Sequence, residues 1–338
     1  MIQKAMFYDE REDHLVQCRL CAHRCKIHPD RRGLCGVREN RDGTLYSMVY
    51  GTLVAQNVDP IEKKPFFHML PGSRSYSIAT AGCNFRCDFC QNASISQMPG
   101  ATLMIMGEDF TPGEIVSRAK KSACRTIAYT YTEPTVYFEL AYDTARLAGQ
   151  SGLRNVFVTN GYMTPEAIDL ISPHLDAANI DLKSFRDDFY KKYCGARLEP
   201  VLESLRHLKA LGIWVEITTL LIPGLNDTRE ELTDISDFIA DLGKEIPWHV
   251  SRFHPQHKML DTPVTPIASL HLACEIGKKA GLKYVYSGNV PGDGGESTFC
   301  AGCGSRLIER YGYEIRSMDL DGGNLCRSCK TPLDGIFS

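Results

Sequence analysis

The sequence predicts an α/β protein. Its centre is a partial (β/α) barrel, flanked by an N-terminal cysteine-rich element and a C-terminal zinc-ribbon-like tail. Three observations predict this. Between Ser75 and about Asn289, short β-branched or apolar runs alternate with amphipathic stretches, the pattern of repeated βα units with parallel strands and right-handed crossovers. Several amphipathic stretches open with helix-start chemistry, at Thr111-Pro112, Thr164-Pro165 and Asp227-Thr228. Eleven of the 14 cysteines fall into three tight groups, leaving Cys124, Cys194 and Cys274 alone.

Taken in order, residues 1–70 form the N-terminal four-cysteine element and a lead-in broken by Gly33, Pro60 and Pro65. Residues 71–290 form the barrel. Its predicted strands are Ser75–Thr80, Thr126–Thr130, Asn155–Thr159, Ala178–Leu182, Ile213–Leu221, Trp248–Phe253 and Lys283–Tyr286. Helical stretches lie between them: Pro112–Ala123, Pro134–Gly149, Pro165–His174, Glu199–Leu211, Thr228–Leu242 and Pro266–Ala280. Six or seven units are slightly few for a closed eight-stranded barrel, hence a partial one. Its functional groups belong on loops at the C-terminal ends of the strands. Residues 291–338 form the Gly-rich, Cys-paired tail.

Composition narrows the function. The chain has 338 residues, 43% hydrophobic and 23% charged, with a formal net charge of −3. These values exclude disordered, collagen-like and disulfide-miniprotein classes. A near-neutral balance gives no electrostatic reason for a nucleic-acid or membrane partner. No apolar run is long enough to span a bilayer, and residues 1–10 lack a signal-peptide core. The expected location is cytoplasmic, where reducing pools open disulfides, so clustered cysteines read as metal or cluster ligands.

The first predicted strand is followed by Cys83, Cys87 and Cys90 in C-x3-C-x2-C spacing, with Phe89 before the third thiol. Three thiolates this close hold three corners of a [4Fe–4S] cube and leave the fourth iron open. A zinc site completed by a distant ligand is the plain alternative. The N-terminal group is Cys18, Cys21, Cys25 and Cys35. Four soft ligands there close a shell with no open position; zinc is the first reading and an auxiliary Fe–S cluster the second. Cys300, Cys303, Cys326 and Cys329 form two C-x2-C knuckles 22 residues apart, a structural zinc signal. The segment Tyr311–Ile315 between them supplies a hairpin.

The C-x3-C-x2-C loop in its βα context resembles the radical S-adenosylmethionine (SAM) superfamily. The wider sequence resembles the branch related to pyruvate formate-lyase activating enzyme, and most closely the radical SAM member of the AmmeMemoRadiSam system. That resemblance covers nearly the whole chain. It implies a [4Fe–4S] cluster on Cys83, Cys87 and Cys90, SAM chelated to the open iron, and an electron donor such as flavodoxin or ferredoxin.

The strand ends then carry the candidate SAM contacts. After strand two come Thr132 and Glu133, where relatives have a Gly-Gly-Glu segment touching the methionine amino group; this chain departs from it, and helix capping is the alternative. After strand three, Thr159 and Asn160 suit ribose or carboxylate, although Asn-Gly is also a common turn. Asp181 and Lys183 alternate on strand four and so share a side, aiming a cation at the SAM carboxylate. His254 follows strand six where relatives place a histidine near the nucleoside. Asn289 follows strand seven beside Gly288.

The resulting expectation is a radical SAM enzyme. It cleaves SAM reductively to a 5′-deoxyadenosyl radical and abstracts hydrogen from a substrate, with a glycyl-radical protein one candidate. An RNA, peptide or small-molecule substrate is the alternative within the class. Outside it stands a zinc-dependent binding module without redox chemistry.

Overall fold

A computed structural model describes residues 1–100, 103–290 and 292–338. Residue 291, where the predicted tail begins, lies outside the described residues. The seven predicted runs form seven strands: β1 (Arg74–Thr80), β2 (Thr126–Tyr129), β3 (Arg154–Thr159), β4 (Ala177–Asp181), β5 (Trp214–Leu221), β6 (Trp248–Arg252) and β7 (Val285–Gly288). Each lies parallel to the next, in chain order. Between them run α1 (Pro112–Lys121), α2 (Phe138–Gln150), α3 (Pro165–Ile171), α4 (Glu199–Ala210), α5 (Arg229–Leu242) and α6 (Ile267–Lys279).

The strands were legible because a parallel sheet is covered on both faces and reads as a continuous apolar run. All four residues of β2 and the first four of β4 are buried. The sheet also holds two strands the periodicity did not reveal. Thr52–Pro60 pairs antiparallel with β1, and Glu108–Asp109 pairs antiparallel beyond it. Much of Thr52–Pro60 is only half-buried or exposed, so its sequence lacks the apolar signal. With Glu108–Asp109 and β7 at the two edges, the barrel is open among the described residues.

Helix-start chemistry works at two of the three predicted places. Thr111 and Glu114 exchange the two hydrogen bonds of a capping box, and Thr228 accepts from the Glu231 amide at 3.3 Å. Thr164 differs: its hydroxyl donates to the Arg19 carbonyl at 2.9 Å. It therefore fastens the N-terminal element instead of capping its own helix.

That element consists of two three-stranded antiparallel sheets, docked on the barrel through a buried ion pair. Both Arg38 terminal nitrogens donate to the Glu139 carboxylate of α2, at 2.8 and 3.0 Å. The Met6 amide donates to the same carboxylate at 2.7 Å. The tail folds back just as closely. Its hairpin, Arg306–Tyr311 with Glu314–Met318, carries the buried Arg310, which donates to the Phe67 carbonyl at 2.9 Å and to Thr298 Oγ1 at 2.7 Å. Glu216 of β5 anchors the same lead-in from below, accepting from the Phe67 and His68 amides and from His249.

Glu139→Ala strands the buried Arg38 guanidinium, and breaking such a pair costs about 3–5 kcal/mol. Urea unfolding followed by tryptophan fluorescence is expected to show that loss, with a smaller one for Glu139→Gln. A Glu139→Ala loss below about 1 kcal/mol would show that this contact does not hold the element in place.

Candidate active site

Ala81-Gly82 follow β1 and lead into the cysteine loop. Gly82 has φ +96°, and a Cβ there would meet Val37 Cγ1 at 2.7 Å and the Cys35 carbonyl oxygen at 3.0 Å. Only glycine permits that approach. The thiols of Cys83, Cys87 and Cys90 all line one cavity of about 440 Å³, within the size range of ligand pockets.

The loop is irregular, so its backbone partners come from elsewhere. The Arg86 amide donates to the Cys194 carbonyl at 2.8 Å, and the Asp88 amide to the Tyr193 carbonyl at 2.9 Å. Asn160 Nδ2 donates to Asn84 Oδ1 at 2.7 Å. The neighbouring Cys194 side chain and the Lys183 charge hold the Cys87 thiol below its usual range, against burial; burial raises Cys83. Cys194, a lone cysteine by sequence, thus lies against the loop without lining the cavity.

The predicted contacts converge in part. Phe89, Thr132, Glu133, Thr159, Asn160, Asp181, Lys183 and Asn289 all line the cavity that holds the three thiols. Asp181 and Lys183 meet at 2.8 Å, both half-buried. Burial opposes the ammonium charge most strongly, but Asp181 together with the sulfurs of Cys87 and Cys194 more than offsets it and keeps Lys183 protonated. Asn289 Nδ2 donates to the Arg252 carbonyl at 3.2 Å.

Glu133 is already engaged. Its Oε1 accepts from the Thr135 amide and hydroxyl and from Thr159 Oγ1, and its Oε2 accepts from the Asn160 amide at 2.8 Å. It caps the short helix that follows and ties the loop after β2 to the loop after β3. Burial nevertheless raises its pKa. Thr132 donates its hydroxyl to the Thr80 carbonyl.

His254 is not brought into the site: it is exposed and absent from the cavity lining. Side chains alternate along a strand, and His249 and Ser251 already face the cavity. Residue 254 lies two positions past the end of β6, beyond the stretch whose alternation aims side chains at the cavity. Sequence reasoning also missed Glu62 and Lys64 from the lead-in, and Glu296, Gly312 and Tyr313 from the tail. These are long-range neighbours with no local signal.

The three loop thiols fit a multi-iron cluster better than a single ion. Among the described residues, the one group of three or more metal-ligating side chains whose ligand atoms all lie within 4.8 Å of one another is Cys300, Cys303, Cys326 and Cys329. The loop thiols share a cavity but stand wider than that, while the tail cysteines match one tetrahedral ion. A triad of thiolates beside a fixed ammonium–carboxylate pair suits a ligand that is both metal-chelating and zwitterionic.

Comparison with known proteins agrees with this chemistry. The radical SAM superfamily pattern matches residues 77–239. An uncharacterised protein of Methanocaldococcus jannaschii is 47% identical, covering 99% of this chain and 100% of its own. The pyruvate formate-lyase-activating enzyme of Clostridium pasteurianum is 23% identical, over 56% of this chain and 81% of its own. Among solved structures, Streptococcus suis SuiB bound to S-adenosylmethionine shares the fold, with a TM-score of 0.51 and 12% identity across 67% of this chain and 52% of that one. The chain belongs to the radical SAM superfamily and is an enzyme related to pyruvate formate-lyase activating enzyme.

Proposed function

We propose that the chain binds a [4Fe–4S] cluster through Cys83, Cys87 and Cys90, holds SAM against it, and abstracts hydrogen from a polypeptide substrate of the glycyl-radical kind. The observation that carries this reading is that the three thiols share one cavity with the Asp181–Lys183 pair, Thr132 and Asn160. The polypeptide substrate rests on the relatives named as activating enzymes. When bound, the cluster and SAM supply the electron and the 5′-deoxyadenosyl radical.

The chain's own work is placement. Lys183 Nζ offers donors to a carboxylate, and Asp181 keeps it charged and fixed. Thr159 and Asn160 are held in register by Glu133, so Glu133 acts as a positioning residue. Phe89, beside Lys183 with its ring centroid 5.8 Å from Nζ, gives the pair an apolar wall. Tyr313 and Glu296 of the tail add to the wall of the same cavity. The same reading assigns zinc to Cys300, Cys303, Cys326 and Cys329, a flavodoxin or ferredoxin as electron donor, and the cytoplasm as the location. No helix among the described residues is long and apolar enough to cross a membrane.

Anaerobic incubation with reductant and SAM is expected to yield 5′-deoxyadenosine, and Cys87→Ala to abolish it with little loss of folded protein. Undiminished nucleoside from Cys87→Ala would refute the ligand assignment. Removing one charge-assisted contact costs about 1.5–3 kcal/mol, so Lys183→Met should weaken SAM binding about 10- to 100-fold by equilibrium dialysis. Unchanged binding would remove Lys183 from the carboxylate.

A further inference from the structure

We infer that Cys18, Cys21, Cys25 and Cys35 hold a second iron–sulfur cluster, a [4Fe–4S] cube with every iron bound to a thiolate, beside the barrel site. The first argument is convergence. All four line one small cavity under the N-terminal element, together with Leu20, Ile27 and Asn84. Cys18 and Cys35 are buried and the other two half-buried. The Cys18 amide donates to the Cys25 carbonyl at 2.9 Å, closing the loop that carries the first three.

The second argument is spacing, and the molecule supplies its own ruler. Zinc–sulfur bonds of about 2.3 Å place the sulfurs of a tetrahedral zinc site about 3.8 Å apart. The tail cysteines have that spacing: Cys300 and Cys329 lie 3.5 Å apart, Cys303 and Cys326 3.7 Å. No three of the N-terminal sulfurs come within 4.8 Å of one another. In this they match the barrel triad. A cubane puts each thiolate on a different iron and spreads the sulfurs to roughly 6 Å. A [2Fe–2S] cluster places two thiolates on each iron, so it needs two pairs at the single-ion distance. A cubane on four thiolates asks for no such close pair.

The third argument is location. The Ala22 amide donates to the Tyr162 carbonyl at 3.0 Å, and His23 Nε2 lies 2.8 Å from the Asn84 carbonyl oxygen. The Cys35 carbonyl packs against Gly82. Asn84 lines the N-terminal cavity while its neighbour Cys83 lines the barrel cavity, so a single peptide joins the two sites. A cluster with no open iron has no place for substrate, and its chemistry is one-electron transfer. Here it takes one electron from a low-potential donor of the ferredoxin or flavodoxin class and passes it to the barrel cluster. One cluster is oxidised by one electron as the other is reduced, and no bond is made or broken.

The test uses the full chain, reconstituted anaerobically with iron and sulfide, carrying Cys83→Ser, Cys87→Ser and Cys90→Ser together. This variant is expected to keep about four irons and four sulfides, with the Mössbauer doublet of a [4Fe–4S]²⁺ cluster and one zinc. Wild type is expected to hold about twice that iron. An iron-free variant with two zinc ions would overturn the inference. Should the triple variant not fold, Cys21→Ser in the otherwise native chain is expected to halve the iron, and full retention would overturn it equally. The outcome also separates this inference from the proposed function: four irons in wild type that survive the barrel substitutions sink the radical SAM site and leave the N-terminal cluster standing.

Discussion

Three thiolates must face one point from a stretch of eight residues, and no regular element can do this. A strand sends alternate side chains to opposite faces, and a helix spaces them along a stripe. The Cys83–Cys90 loop is therefore irregular, with few internal hydrogen bonds to hold its shape. Its backbone is held instead by Cys194 and Tyr193 on one flank and by the N-terminal element packed on Gly82, while Asn160 holds the Asn84 side chain. Those flanking segments follow from what the loop cannot do for itself.

This explains why charge is buried beneath the N-terminal element. Arg38 and Glu139 lie only 2% and 3% exposed, an arrangement that a pair of apolar residues could replace without loss of stability. The pair fixes one orientation of the N-terminal element, and that orientation brings Val37 and the Cys35 carbonyl against the cysteine loop. Glu133 does similar work inside the cavity: four donors hold its carboxylate, and through them the loops after β2 and β3 keep a common register. Arg310 and Glu216 fasten Phe67 from two sides, so the lead-in and the tail reach the cavity as one wall.

Much of this was legible in the sequence. The seven parallel strands announce themselves because both faces are buried, and their ends come within a few residues of the predicted ones. Asp181 and Lys183 were paired by alternation alone, and they meet. His254 was placed by resemblance alone, past the end of β6, and stands outside the cavity. The strand Thr52–Pro60 was hidden because a strand left half-buried or exposed over much of its length reads as loop. Cys194 looked ordinary because its partner, Cys87, is more than one hundred residues away in sequence. Glu62, Glu296 and Tyr313 reach the cavity only through the folding-back of both ends, which no periodicity records. In the N-terminal group, spacing along the chain admits zinc and cluster alike.

The central claim is that the loop thiolates leave one iron free and that SAM occupies it through its amino and carboxylate groups. Electron–nuclear double resonance on the reduced enzyme, with SAM carrying ¹⁵N in the amino group and ¹⁷O in the carboxylate, tests this directly. The account predicts hyperfine coupling of both labels to the cluster spin, lost on substitution of any one of Cys83, Cys87 and Cys90. Bound SAM with neither label coupled would contradict it.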